Sequence, residues 1–136
     1  MNKDIADKWC LALRSGRYEQ GVGSLRIGGD YCVLGVLCDV HKTCCQIEPK
    51  DDAALPAWRA NYAGMFEYLP DRSTDKDGAC AFLPDAVKQW AGTRKRNPVV
   101  NGELLSDLND GSTSGHVGKH TFEQLADLIE ANYQTL

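Results

Sequence analysis

Asp30-Tyr-Cys-Val-Leu-Gly-Val-Leu-Cys-Asp-Val-His41 decides how the rest of the chain is read. It reads as a helix that is apolar nearly all round, and such a helix belongs in the middle of a domain. Asp30 is placed to cap it by accepting a bond from a free backbone N–H. Cys32 then falls in the first turn, where the helix dipole favours a thiolate. The expected centre of the fold is therefore one buried, cysteine-bearing helix.

Amphipathic segments flank this core. Residues 3–14 predict a helix, with Ile5, Trp9, Ala12 and Leu13 on one face and Ser15-Gly16 as its end. Val22, Leu25 and Ile27 suggest a short strand interrupted by glycines, and Gly28-Gly29 turns the chain into the central helix. Lys42–Ile47 reads as extended, and Asp51–Tyr62 as a short helical segment or a long loop. Met65–Leu69 reads as a strand and Pro70–Gly78 as a polar, mobile surface loop. Leu83-Pro84 opens a short helix, with proline at its first position, Val87 and Trp90 facing inward and Gly92 as its stop. Asn101-Gly102 predicts a hairpin between Pro98–Val100 and Glu103–Leu108. Asn109–Lys119 is Gly/Ser-rich and reads as flexible. Thr121–Gln124 matches a capping box and starts a last helix with Phe122, Leu125, Ile129 and Tyr133 inward. The expected fold is a single α+β domain over residues 1–136. A central buried helix is joined by about three further helices and a small antiparallel sheet of about four strands, without βαβ alternation or repeats.

Composition narrows the function classes. With 136 residues and 43% hydrophobic content the chain has enough apolar material for a core. A net charge of -4 argues against a general nucleic-acid binder, which needs a basic footprint. No apolar run reaches the ~20 residues of a membrane span. Met1–Lys8 is polar and lacks a signal-peptide core, so a cytoplasmic setting with the six cysteines reduced is expected.

Several segments together resemble a group of short proteins from phages and bacterial genomes that has no assigned activity. They are Leu13–Gly16, Gln20-Gly21, Tyr31–Asp39, Leu83-Pro84, Trp90, Asn97-Pro98, Leu108–Asp110 and Phe122–Glu130. The resemblance covers most of the chain except roughly residues 43–80. It implies a phage-type or bacterial cytosolic setting and carries no catalytic residues. Small phage proteins of this size often act against host defences, which is an expectation at the level of the class.

Four constellations bear on chemistry. Cys32 is a candidate nucleophile; His41 lies nine residues along the same helix, about 13 Å away, so a base has to come from His116 or His120, with Asn109 or Asp110 to orient it. Cys38, His41, Cys44, Cys45 and Cys80 match no common zinc spacing, and neither a metal nor a cofactor is expected. Arg94-Lys95-Arg96 is the one basic run, suited to an anion, with Arg14, Arg17 and Arg26 adding charge near Gln20–Gly23. Trp58 and Arg59 combine an aromatic ring with a cation, suited to a stacked base or a partner, while Trp9 and Trp90 read as core. The leading expectation is a non-enzymatic binding protein of phage type. It engages a host protein or sequesters a small phosphorylated, nucleotide-like signalling ligand through Arg94, Arg96, Trp58, Arg59 and Asn109. The alternative is a cysteine-dependent hydrolase or transferase using Cys32 with His116 or His120. A third reading is an interaction module that self-associates through residues 43–70.

Overall fold

A computed structural model describes residues 1–47, 56–70, 77–112 and 115–136. Helix α1 spans Lys3–Arg14, where the periodicity puts it, and Asn2 caps it by accepting from the backbone N–H groups of Asp4 and Ile5. Three two-residue strands follow: β1 (Glu19–Gln20), β2 (Arg26–Ile27) and β3 (Asp30–Tyr31). The central helix α2 spans Val33–Cys44 and buries every residue from Val33 to Cys38, then Val40 and His41.

The start of α2 differs from the sequence expectation. Asp30 is exposed and belongs to β3, paired with Ile27 across the Gly28-Gly29 turn. The cap is Cys32, whose Sγ accepts from the Gly35 N–H at 3.4 Å. The hairpin consumes two more residues than the glycine turn suggests, so the carboxylate arrives too early. Lys42–Cys44 is helical rather than extended, since the Thr43 hydroxyl bonds back to Asp39 O and the Cys45 N–H to His41 O.

Strands β4 (Trp58–Ala60) and β5 (Met65–Tyr68) complete a five-stranded sheet of order β1-β3-β2-β5-β4. The sheet is mixed, not antiparallel throughout, because β1 runs parallel to β3. The segment at 58–60, expected as helix or loop, is extended because Trp58, Arg59 and Ala60 pair with Tyr68, Glu67 and Phe66. Residues 51–55 and most of the loop expected at 70–78 lie outside the described residues.

Helix α3 spans Asp85–Ala91, with Pro84 just before its first residue rather than in it. The Asp77 carboxylate accepts from the N–H groups of Asp85 and Ala86, a bond that proline could not give. Gly92 ends the helix at φ 70°, in the left-handed region. The hairpin of β6 (Val99–Val100) and β7 (Glu103–Leu104) turns at Asn101-Gly102, both with positive φ. Its second arm stops at Leu104, and Leu105–Asp110 forms helix α4 instead of continuing as a strand. Asn97 explains the change: its Oδ1 accepts from the Ser106 N–H and its Nδ2 donates to Ser106 Oγ.

Helix α5 spans Phe122–Asn132 behind the Thr121/Gln124 capping box. A short 3-10 turn, Tyr133–Thr135, follows, with Tyr133 only half-buried. The described chain thus has five α-helices and seven short strands, more of each than the pattern suggested. Trp9 of α1 donates its indole N–H to Val33 O at 2.9 Å, tying α1 to the start of α2. Leu125 and Ile129 of α5 are fully buried in the same core; each such side chain contributes about 1.5–3 kcal/mol.

Candidate functional site

Cys32 lines a cavity of about 180 Å³ together with Gly23, Ser24, Phe82, Ser106 and Asp110. The thiol is 5% exposed. Burial pushes its pKa up to about 11, and the nearby Asp110 charge adds to the rise. The bond from the Gly35 N–H works in the other direction and is outweighed. At neutral pH this keeps the thiol in its protonated form. His116 is exposed, and His120 bonds through Nδ1 to Gly118 O at 2.8 Å; neither bonds to Cys32. Cys32, His116 and His120 are therefore not assembled into a nucleophile and base in this structure.

Asn109 is fully buried and hydrogen-bonded on every side. Its Oδ1 accepts from the Val33 N–H (3.0 Å) and from Gln20 Nε2 (3.2 Å). Its Nδ2 donates to Gly21 O (2.8 Å) and Asp110 Oδ1 (2.6 Å). Asp110 in turn accepts from the Gly23 N–H. The Asn-Asp pair locks the glycine-rich segment and the entry to α2 onto α4.

Trp58 is buried, edge-on to Tyr31 and tilted against Tyr68, and gives its indole N–H to Asp39 at 3.0 Å. Arg59 forms an ion pair with Glu67 across the β4–β5 pair at 2.7 Å. Asp39 also accepts from the Tyr18 hydroxyl (2.7 Å) and Lys42 (3.0 Å). Burial alone would raise its carboxyl pKa; these three donors outweigh burial and hold it below the ordinary value. Arg26 stacks over Phe66, Tyr31 and Trp58, with 4.1 Å to the nearest ring centre. Sequence reasoning did not single out Asp39 or the stacking of Arg26, since both depend on strands and helices meeting in space.

His41 is buried against Tyr68 and Trp90, with Nδ1 2.8 Å from the Tyr68 hydroxyl. Burial lowers its pKa from 6.5 to about 4. The unfolded chain takes up this proton below pH 6.5 and the folded chain does so only near 4. Stability is therefore full above pH 6.5 and falls as the pH drops towards 4, by on the order of 2–3 kcal/mol. Urea midpoints measured from pH 7.5 to 4.5 should show this decline, and His41→Gln should flatten it even where it lowers overall stability. A wild-type midpoint that is constant across the window would contradict the assignment.

The basic run divides. Arg96, still exposed, donates to Leu83 O at 2.6 Å, with Asp85 3.9 Å away. Arg94 and Lys95 instead line a cavity of about 330 Å³ with Pro98, Asn101, Thr135 and Leu136. Among the described residues, neither cation has a side-chain hydrogen bond or ion pair, and no Asp or Glu lines the cavity. Arg94 in the cavity, Arg96 on Leu83 O, Trp58 and Arg59 on the sheet, and the buried Asn109 thus stand in four separate settings. The contribution of Thr135 had no local signal, because it arrives from beyond the end of α5. Among the described residues no group of three or more His, Cys, Asp or Glu side chains could hold a metal ion. No helix among them is long and apolar enough to cross a membrane.

A family described as a domain of unknown function, DUF8296, matches residues 1–133. The chain is a DUF8296 domain. No curated protein and no solved structure matches it. The DUF8296 match takes in the Cys32 helix, the Asn109-Asp110 lock and the Arg94-Lys95 cavity up to Tyr133.

Proposed function

We propose that this DUF8296 domain is a non-enzymatic binding protein that takes a small phosphorylated molecule into the cavity at Arg94 and Lys95. The observation that carries the reading is a pair of cations without a side-chain partner among the described residues, in a cavity that no described Asp or Glu lines. A guanidinium can hold two phosphate oxygens at once, and the ammonium adds a compact second charge. The Asn101 amide supplies a neutral donor, and Pro98, Val99 and Leu136 an apolar wall. The volume lies at the small end of the ~300–1,000 Å³ range of ligand sites. That size suits a phosphate group with one compact moiety attached.

The resemblance to short phage proteins supports a role in the bacterial or infected-cell cytoplasm, removing a nucleotide-like signal that a host defence uses. The cysteine-dependent alternative has less support, given a buried, protonated Cys32 without an imidazole beside it.

Calorimetric titration with pyrophosphate, adenosine monophosphate and a cyclic dinucleotide tests the reading. At least one is expected to bind. Arg94→Ala and Lys95→Ala are each expected to weaken that binding about tenfold or more, as loss of a charge-assisted bond does. Absence of binding by all three, or binding that the double variant leaves unchanged, would overturn it.

A further inference from the structure

Leu11 is 70% exposed, more than any other large apolar side chain among the described residues. It falls outside the stripe of Ile5, Trp9, Ala12 and Leu13 that α1 buries. A lone exposed leucine means little. This one stands beside a groove of about 260 Å³ between α1 and α2, formed with Lys8, Arg17, Tyr18, Val40 and Cys44. Ala12 and Val40, both buried, make an apolar floor, and Leu11 extends it towards solvent.

The groove lining carries two cations, Lys8 and Arg17, against a single carboxylate. On α1, Lys3 takes Asp7 as its ion-pair partner, while Lys8 has none among the described residues. Arg17 touches the Ser15 hydroxyl and lies 6.0 Å from the Tyr18 ring centre, without an ion pair among the described residues. Asp39 is the one carboxylate of the lining, and Tyr18, Trp58 and Lys42 already occupy it. Two cations without an ion pair among the described residues thus frame an apolar floor on a chain whose net charge is -4. The molecule as a whole repels acidic partners, and this groove attracts them.

We infer that the groove between α1 and α2 is a docking surface for an acidic, amphipathic helix of a partner protein. A trough between two helices accepts a third laid along it, with large apolar side chains at helical spacing against the floor. Carboxylates on the flanks of that helix meet Lys8 and Arg17. This surface is separate from the Arg94-Lys95 cavity, with which it shares no lining residue.

Selection of displayed random peptides against the folded protein tests the inference. The enriched peptides are expected to combine Asp or Glu with Leu, Ile or Phe at i, i+3 or i+4 spacing, against the bias of the protein's net charge. Leu11→Ser and the double variant Lys8→Glu/Arg17→Glu, both confined to exposed side chains, should each weaken the best peptide about tenfold. A peptide with its carboxylates replaced by lysines should regain binding to the double variant. Enrichment of basic peptides, no enrichment, or undiminished binding to Leu11→Ser would overturn the inference. So would self-association, measured by sedimentation, that Leu11→Ser abolishes; the occupant would then be a second copy of the chain.

Discussion

Gly35→Ala is expected to destabilise the native fold severely, although a helix ordinarily gains by the change. Glycine inside a helix costs about 0.5–1 kcal/mol relative to alanine, so propensity favours the substitution. Packing reverses the sign. A Cβ on Gly35 would lie 1.8 Å from the carbonyl oxygen of Leu25 and 2.7 Å from its carbonyl carbon. Both are backbone atoms, and the Leu25 carbonyl is already the acceptor for the Cys32 N–H at 3.1 Å. Leu25 is also held on its other side, its N–H donating to Cys80 O at 2.7 Å. Relief requires moving α2 away from the Leu25 segment by more than an ångström, through a core with no slack. A loss of about 4 kcal/mol or more is expected, a large share of the ~5–15 kcal/mol that holds a domain together. Urea denaturation followed by tryptophan fluorescence measures it. A Gly35→Ala protein with an unchanged or higher midpoint would show that the close approach of α2 to Leu25 is wrong.

Asn109→Ala should come next in severity. Truncation removes four hydrogen bonds at once and strands the Val33 N–H and the Gly21 carbonyl in the interior. Each orphaned group costs about 1–3 kcal/mol, so a total of about 3–5 kcal/mol is reasonable. That corresponds to a fall in melting temperature of roughly 10–20 °C for a domain of this size. Asn109→Asp is no rescue: it keeps the acceptor for Val33 but sets a carboxylate against the Gly21 carbonyl and the Asp110 carboxylate. Calorimetric melting of both variants decides the matter. A melting point within about 3 °C of wild type for Asn109→Ala would remove the claim that this side chain bolts the glycine-rich segment and the start of α2 onto α4.

Features written in neighbouring residues were legible in the sequence. The apolar spacing of α1, the Thr121/Gln124 box of α5 and the Asn101-Gly102 turn each need only a few consecutive residues, and each forms as read. The failures share a different cause. Asp30 outranks cysteine as a cap on propensity, yet the hairpin length places Cys32 there. Leu105–Asp110 has strand-like neighbours, but Asn97 reaches across nine residues to start a helix. The parallel pairing of β1 with β3 depends on where other elements close around them. The candidate site follows the same division. Arg94-Lys95-Arg96 stood out as a basic run, with Arg94 and Arg96 expected to bind, whereas the bond that draws Arg96 away comes from Leu83 O, thirteen residues distant, and leaves Lys95 beside the cavity instead. Asn109 was noticed as part of a polar pair before a loop, but its bonds to Gln20, Gly21 and Val33 span 76 to 89 residues, beyond any local pattern.

The described strands are all very short: the longest, Met65–Tyr68, has four residues and most have two. The edges of the five-stranded sheet are Glu19–Gln20 and Trp58–Ala60, each too brief to recruit another chain along an extended ladder. Templated growth into fibrils needs six or seven residues of exposed, uncharged strand. Among the described residues the sheet offers no such seed, and the most apolar stretch, Val33–Cys38, stays locked inside α2 until the domain opens.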